Sequence, residues 1–251
     1  MVNTREKSIF NWFPVPRYLL LATANIKPAE SEAEVRKFVP LNTKFVNATL
    51  PDDKTYLFTA EIDRVEPSGL YDAVAFIIEK NVPITLSESV FSYEVINDNK
   101  SSEKIKVAVT VVPKDFINSQ LQIFESAGVT VVSFNTESQS IARAVASYLD
   151  KAPKLILNLT LRKTGFYIVE EGVVQFSTTL ARTSIDSAEG VENLRQANEI
   201  KAKVREIISF WGQKIEKIIL CGALSCKHEF VSAITGETNI KYELFSSKGL
   251  D

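Results

Sequence analysis

The segment of this chain whose residue types say most about chemistry is Leu155–Val169, in which two apolar runs flank a short polar stretch. A turn between two strands can bind a metal-bound triphosphate when it offers an acidic residue for the metal and a glycine that lets the backbone approach the phosphates. This sequence has Asn158 in place of the acid and Thr160 in place of the glycine. The segment therefore has the layout of a phosphate-binding turn and the wrong residue types for that chemistry.

A second group of reactive residue types consists of Cys221, Cys226 and His228. Cysteine and histidine are common zinc ligands, and a Cys–His pair can supply a nucleophile and its base. The spacing matches no strong zinc pattern, a fourth ligand is absent nearby, and nothing positions an oxyanion hole. We interpret Cys221 as a small buried hydrophobe at the end of an apolar strand, and we predict neither a metal ion nor a catalytic residue.

Composition indicates a soluble globular protein and restricts its partners. The chain of 251 residues is 45% hydrophobic and 24% charged, with a formal charge of −2. Interspersed acids and bases give no electrostatic footprint for nucleic acid. No apolar run is long enough to span a bilayer, the N-terminus lacks the pattern of a signal peptide, and two cysteines make no disulfide framework. These features predict a cytoplasmic protein.

Periodicity predicts seven elements in the second half of the chain. Strands over 155–161, 166–170 and 173–177 are joined by short turns, which we assign to Gly165 and Gly172, and short turns imply antiparallel neighbours. They are followed by a helix over 189–211, a strand over 215–221, a helix over 225–234 and a strand over 239–245. This order of elements is the ribonuclease H-like topology that actin-like ATPases, sugar kinases and many nucleases share.

The first half is predicted to contain strands over 18–22, 55–62, 90–96, 105–112 and 129–134 and a helix over 138–149. Two further helices are expected, one capped by Ser68 and one with Pro113 at its first position and Gly128 just past its end. The stretch 28–37 fits a loop or a short helix equally well.

The two halves repeat a pattern of strand, helix, glycine and strand, over 104–136 and 214–246. The repetition predicts a duplicated α/β protein with two lobes. We place lobe one at 1–152, with an inserted α/β subdomain at about 59–112, and lobe two at 153–251.

An ordered set of short motifs resembles the PilM proteins of type IV pilus assembly, which are actin-like relatives of the cell-division protein FtsA. The motifs are Phe13–Leu19, Leu50–Thr59, Val111–Asp115, Glu125–Val129 and Ile218–Gly222, and they cover about residues 13–245. The resemblance implies a two-lobe actin-like fold with a small extra subdomain in lobe one. It also implies a protein on the cytoplasmic face of the inner membrane that holds the cytoplasmic tail of a single-span partner, PilN. Several members of the family bind ATP.

The sequence departs from this family at each element of the nucleotide site. The first phosphate turn, Asp-Ile-Gly or Asp-Ile-Ser in the family, corresponds to Ala22–Pro28, which has neither the acid nor a glycine. The second turn reads Asn158-Leu159-Thr160 and keeps only Thr164 downstream, and the adenosine-contacting Gly-Gly becomes Gly222-Ala223. The extra subdomain of lobe two and the C-terminal helix of the family are also expected to be reduced or missing.

These changes predict a pseudo-ATPase scaffold that uses neither ATP nor Mg²⁺. Thr160 is β-branched and blocks the approach of phosphate to the backbone, and Asn158 can offer Mg²⁺ only a neutral carbonyl. A nuclease is disfavoured because the first strand of lobe two carries no acid for two-metal chemistry. The alternatives are an actin-like ATPase with an unconventional nucleotide site and a reduced protein recruited to another envelope machine.

The resemblance implies a PilN-like partner, and we expect its tail to bind in a groove between the core of lobe one and the inserted unit, about residues 59–112. Strand addition or an apolar groove would both serve this purpose. Through that partner the protein would be peripheral to the inner membrane.

Overall fold

The computed structural model describes residues 25–26, 31–39, 44–97, 102–145, 152–181, 189–211, 215–235 and 240–245. The chain divides into two compact units, residues 1–140 and 141–251, and each has a hydrophobic core of its own. The strand predicted over 18–22 lies outside the described residues, and the lobe boundary at residue 152 stays a prediction.

The first unit contains a parallel sheet and an antiparallel sheet. Its elements are β1 (Asn25–Ile26), α1 (Glu32–Phe38), β2 (Phe45–Leu50), β3 (Tyr56–Asp63), α2 (Leu70–Asn81), β4 (Ser89–Asn97), β5 (Lys104–Pro113), α3 (Lys114–Ser126), β6 (Thr130–Thr136) and the start of α4 (Glu137–Val145). The parallel sheet has the order β1–β2–β6, and the antiparallel sheet has the order β3–β5–β4. The antiparallel sheet corresponds to the predicted inserted subdomain.

Strand β5 belongs to the cores of both sheets. Its Val112 packs in the cluster below the parallel sheet, whereas Val107, Val109 and Val111 pack with helix α2 in the core of the antiparallel sheet. One continuous strand therefore ties the inserted subdomain to the rest of the first unit.

Several local predictions for the first unit need correction. Helix α2 is preceded by Gly69 as its N-cap, not by Ser68, and Pro113 ends β5 and caps α3 instead of opening it. Strand β2 is missing from the sequence prediction. For the stretch 28–37 the sequence fits a loop or a short helix, and its described part is the helix α1. The helix is capped by Ser31, whose hydroxyl accepts a hydrogen bond from the N–H of Glu34.

The second unit is a five-stranded sheet with the order β11–β10–β7–β8–β9. Its elements are β7 (Lys154–Leu159), β8 (Lys163–Glu170), β9 (Val173–Ala181), α5 (Glu189–Trp211), β10 (Lys217–Cys221), α6 (His228–Thr235) and β11 (Lys241–Leu244). Strands β7, β8 and β9 are antiparallel neighbours, and β10 runs parallel to both β7 and β11. This order and these directions confirm the predicted ribonuclease H-like topology.

The core of the second unit lies between this sheet and the two helices α5 and α6. The inward stripe of α5 includes Ala197, Ile200, Val204 and Ile207, whereas Leu194, which the periodicity places on the same stripe, is 58% exposed. The helix predicted over 225–234 is two elements, a 3-10 helix over Ala223–Cys226 followed by α6. None of the helices in the described ranges has the length and apolar character needed to cross a bilayer.

Gly165 does not lie in a turn, contrary to the sequence prediction. It is the third residue of β8 and pairs with Asn158 of β7 and Thr179 of β9. The turn between β7 and β8 is formed by the residues before Lys163.

Candidate functional site

The structure brings the five predicted site residues to one end of the sheet of the second unit. Asn158 lies near the end of β7 in register with Cys221 of β10, and Gly222 follows directly after that cysteine. Thr160 comes just after β7, Thr164 pairs with Leu159 from the neighbouring strand, and Ala223 opens the 3-10 helix.

Asn158 and Gly222 fit closely against each other. Asn158 is only 6% exposed, and a Cβ placed on Gly222 would lie 2.6 Å from its Oδ1. The same Cβ would lie 2.6 Å from the carbonyl oxygen of Leu159. Gly222 also has a φ of 89°, in the left-handed region where residues with a Cβ are strained. Position 222 therefore requires glycine for two separate reasons.

Thr160 closes the turn between β7 and β8 through both its backbone and its side chain. Its N–H donates to the carbonyl oxygen of Lys163 at 3.1 Å. Its hydroxyl donates to the same oxygen at 2.7 Å and accepts from the N–H of Lys163 at 3.2 Å. The backbone N–H of this position is thus directed at the turn itself.

Thr164 has a buried hydroxyl without a hydrogen-bond partner among the described residues. The side chain is 1% exposed. A buried hydroxyl that makes no hydrogen bond loses its hydration without compensation, at a cost of about 1–3 kcal/mol. This threonine stands where the resemblance places the downstream threonine of the phosphate turn.

The side chains of this site carry no negative charge, because its polar members are an amide and two hydroxyls. Within the described ranges no three His, Cys, Asp or Glu side chains are grouped closely enough to hold a metal ion. Of the first phosphate turn, Ala22–Pro28, only Asn25 and Ile26 are described, in β1, and the other residues lie outside the described part.

The two cysteines and the histidine differ in their exposure to solvent. Cys221 is buried, and its Sγ lies 3.6 Å from the carbonyl oxygen of Leu157, to which the thiol donates. Cys226 and His228 are exposed at the junction between the 3-10 helix and α6. The interpretation of Cys221 as a small buried side chain is confirmed.

A buried acidic site in the first unit escaped the sequence prediction. Asp52 is 7% exposed and is the only buried carboxylate in the described part of the chain. It accepts hydrogen bonds from the N–H of Ser138, at 3.1 and 3.3 Å, and from the hydroxyl of the same residue at 2.7 Å. Ser138 lies in the first turn of α4, so the carboxylate also meets the positive end of that helix.

The start of α4 is fixed by a reciprocal capping box as well. The hydroxyl of Thr136 accepts from the N–H of Gln139 at 3.2 Å, and the Gln139 Oε1 accepts from the N–H of Thr136 at 3.0 Å. The Nε2 of Gln139 then donates to the hydroxyl of Thr110 on β5 at 3.3 Å. This hydrogen bond links the helix start to the antiparallel sheet, and the spacing Thr136-Glu137-Ser138-Gln139 is a sequence signal that could have revealed the cap.

The face of the antiparallel sheet that carries Thr110 has mostly short side chains around that residue. Side chains alternate between faces along a strand, and the register places Leu57, Ser92 and Thr110 on one face with Thr59 and Ala108 beside them. Ser92, Ala108 and Thr110 are buried, whereas Leu57 and Thr59 on the edge strand β3 are half-buried. This face, which we call the hydroxyl face, is opposite to the one that packs on α2.

The sequence matches no protein-family model and no curated protein. Solved structures do resemble it. A chain of the PilM–PilN type IV pilus biogenesis complex is similar with a TM-score of 0.70 and 15% identity, covering 93% of this chain and 80% of that chain. The cytoplasmic domain of EpsL, an inner-membrane component of the type II secretion system of Vibrio cholerae, is similar with a TM-score of 0.52 and 10% identity, covering 86% of this chain and 70% of that one.

Together with the topology, these likenesses define the class of protein: the chain has a two-lobe actin-like fold with a small inserted α/β subdomain in the first lobe. The particular resemblance predicted from the sequence motifs, to PilM, is confirmed at the level of the fold.

Proposed function

We propose that this protein is a nucleotide-free, actin-like scaffold in the cytoplasm, where it forms part of a type IV pilus or type II secretion-like platform at the inner membrane. In this proposal it binds the cytoplasmic tail of a PilN-like single-span protein and is peripheral to the membrane through that partner. The observation that supports the platform assignment is the likeness to the PilM–PilN complex across 93% of the chain. The likeness to the EpsL cytoplasmic domain supports the same kind of machine.

The absence of nucleotide chemistry is proposed from the geometry of the site in the second unit. Mg²⁺ prefers carboxylate and water oxygens, and the position that would supply a carboxylate carries the buried amide of Asn158. Phosphate binding needs backbone N–H groups that are free to point at oxygen, and the N–H of Thr160 is bonded to Lys163. The residues present therefore do not fit a magnesium nucleotide.

A titration with a fluorescent ATP analogue and Mg²⁺ tests this part of the proposal. We expect no saturable change in fluorescence up to millimolar nucleotide and no change in melting temperature, because a ligand that binds only the folded state would raise it. An ATP-binding actin-like protein serves as the positive control. Saturable binding in the micromolar range would favour the ATPase alternative.

The tail of the partner is proposed to bind on the hydroxyl face, beside the start of α4. Strand β3 forms one edge of the antiparallel sheet within the described residues, so an extended peptide could add to it through main-chain hydrogen bonds. The half-buried Leu57 and Thr59 lie on this edge. The neighbouring Ser92, Ala108 and Thr110 carry short side chains on the same face.

The binding proposal is tested with a peptide that spans the cytoplasmic tail of a single-span protein encoded beside this chain. Thr59→Lys places a long charged side chain on the hydroxyl face, and we expect it to weaken peptide binding at least about tenfold, or 1.4 kcal/mol. Glu79→Lys introduces the same side chain on exposed α2 and should leave binding unchanged. Equal affinities of the two variants, with both folded, would contradict the proposed groove.

A further inference from the structure

Tyr167 in β8 is completely buried and covers Gly165, its neighbour two residues earlier on the same face of the sheet. A Cβ placed on Gly165 would collide with the hydroxyl oxygen and Cζ of Tyr167, and it would lie 3.1 Å from Cε1. The phenol ring therefore runs back along its own strand, and Gly165 is the residue that leaves room for it.

The covered glycine lies beside the candidate nucleotide site. Gly165 is the register partner of Asn158, and Asn158 in turn packs against Gly222. Tyr167 itself pairs with Ile156 of β7, two residues before Asn158. Its ring thus extends from the interior of the sheet toward the end where these three residues converge.

Glycine matters at a phosphate site because it presents bare backbone to the ligand. Gly165 is the only glycine in the segment 155–169, and its open side is occupied by the ring of Tyr167. An aromatic ring that covers a strand glycine also serves packing alone, so the two interpretations must be separated by experiment.

We infer that Tyr167 fills the phosphate side of the former nucleotide site, so that the chain closes this site with its own side chain in addition to lacking ligands for the metal. The inference rests on the proposed function and deepens it. It has a specific consequence, namely that replacing Asn158 and Thr160 alone does not restore binding while the ring stays in place.

The experiment compares variants of the full chain in a titration with a fluorescent ATP analogue and Mg²⁺. The starting background is Asn158→Asp with Thr160→Gly, which returns the acid and the glycine. To this background we add either Tyr167→Val, which opens the site, or Phe166→Val as a matched control. Phe166 is also aromatic and fully buried, but it belongs to the core cluster on the opposite face of the sheet.

We expect saturable binding only in the protein that carries Tyr167→Val. Its dissociation constant should be at least about tenfold lower than the highest-affinity limit measured for the background or the Phe166→Val control. Equal binding by the background protein would overturn the inference, because the ring would then be no obstacle. Equal binding by the control would also overturn it, since general loosening of the core would explain the gain. A lack of binding in all three, with cooperative thermal unfolding of each, would count against it as well.

Two further proteins are included in the titration, the Tyr167→Phe variant and the unmodified protein. Tyr167→Phe in the same background removes only the hydroxyl that lies over Gly165, and a smaller gain in affinity is expected from it. If Tyr167→Val does not fold, the absence of any gain with Tyr167→Phe would overturn the inference. Binding by the unmodified protein would instead contradict the proposed function, so the two failures are distinguishable.

Discussion

Each unit contains a buried polar site near the end of a strand. The site in the first unit holds a charged carboxylate, and the site in the second unit holds a neutral amide. In the first unit the carboxylate of Asp52 receives three hydrogen bonds from the N–H and hydroxyl of Ser138. In the second unit the corresponding buried polar group is the neutral amide of Asn158, packed against Gly222. A buried carboxylate is stable when donors held by the fold face it. The comparison shows that the fold supplies donors to the buried acid of the first unit, whereas the second unit buries a neutral amide at its site.

The largest expected effect comes from the close packing of the second site. Gly222→Ala should destabilise the protein by about 3 kcal/mol, since left-handed backbone strain of about 1–2 kcal/mol adds to overpacking of about 1–3 kcal/mol. Gly128→Ala in the first unit is the matched control, because Gly128 has a φ of 69° but nothing within 4 Å of an added Cβ. That control should cost about 1 kcal/mol. If urea unfolding shows the same loss of unfolding free energy for Gly222→Ala and Gly128→Ala, Asn158 and Leu159 do not crowd residue 222.

The next effect tests the charged site of the first unit. Asp52→Ala should cost about 2–3 kcal/mol, because it removes the carboxylate that accepts from the N–H and the hydroxyl of Ser138 in a buried site. Asp53→Ala changes an exposed acid one residue away and should stay within about 0.5 kcal/mol. Chemical denaturation of both variants provides the measurement. A loss below 0.5 kcal/mol for Asp52→Ala would mean that its hydrogen bonds do not hold the start of α4.

Some features of the two units can be predicted from the sequence, and others cannot. Helix α5 has the predicted bounds, Glu189–Trp211, because a long apolar stripe on one helix face is a local signal. Asp52 could not be recognised, because the residue that makes it structural, Ser138, lies 86 positions away. Strand β2 was missed, although its buried residues Val46, Ala48 and Leu50 alternate with more accessible ones.

Gly165 shows how a strong local signal can mislead. A glycine beside polar residues is a turn signal, yet Gly165 pairs with Asn158 and Thr179 inside β8. The positions of the candidate nucleotide residues come from the family resemblance, which gives their order along the chain, and their role stays a prediction. The position of the Tyr167 ring over Gly165 was not predicted, since it depends on a side-chain direction that no sequence pattern records.

Replacing the amide of the second site with an acid tests the comparison more directly. Asn158→Asp should destabilise the protein by about 2 kcal/mol at neutral pH, because it places a negative charge at a position that is only 6% exposed. The loss should shrink as the pH is lowered toward about 4, because burial raises the pKa of the new carboxyl above its usual value and the protonated acid is neutral like the amide. Urea unfolding at both pH values provides the measurement. Unchanged or higher stability at neutral pH would show that the second site still accommodates a negative charge.

The smallest effect separates the two threonines of the turn, which differ in whether their hydroxyls are used. Thr160→Val removes both hydrogen bonds that its hydroxyl makes with Lys163, and we expect a loss of about 1 kcal/mol. Thr164→Val replaces a buried hydroxyl that has no partner among the described residues, so stability should stay the same or rise. Thermal unfolding of the two variants decides between a turn that is fixed by its own hydrogen bonds and one held by the surrounding core. If Thr164→Val is the more destabilising change, that hydroxyl has a structural role, and the contrast between the two positions is wrong.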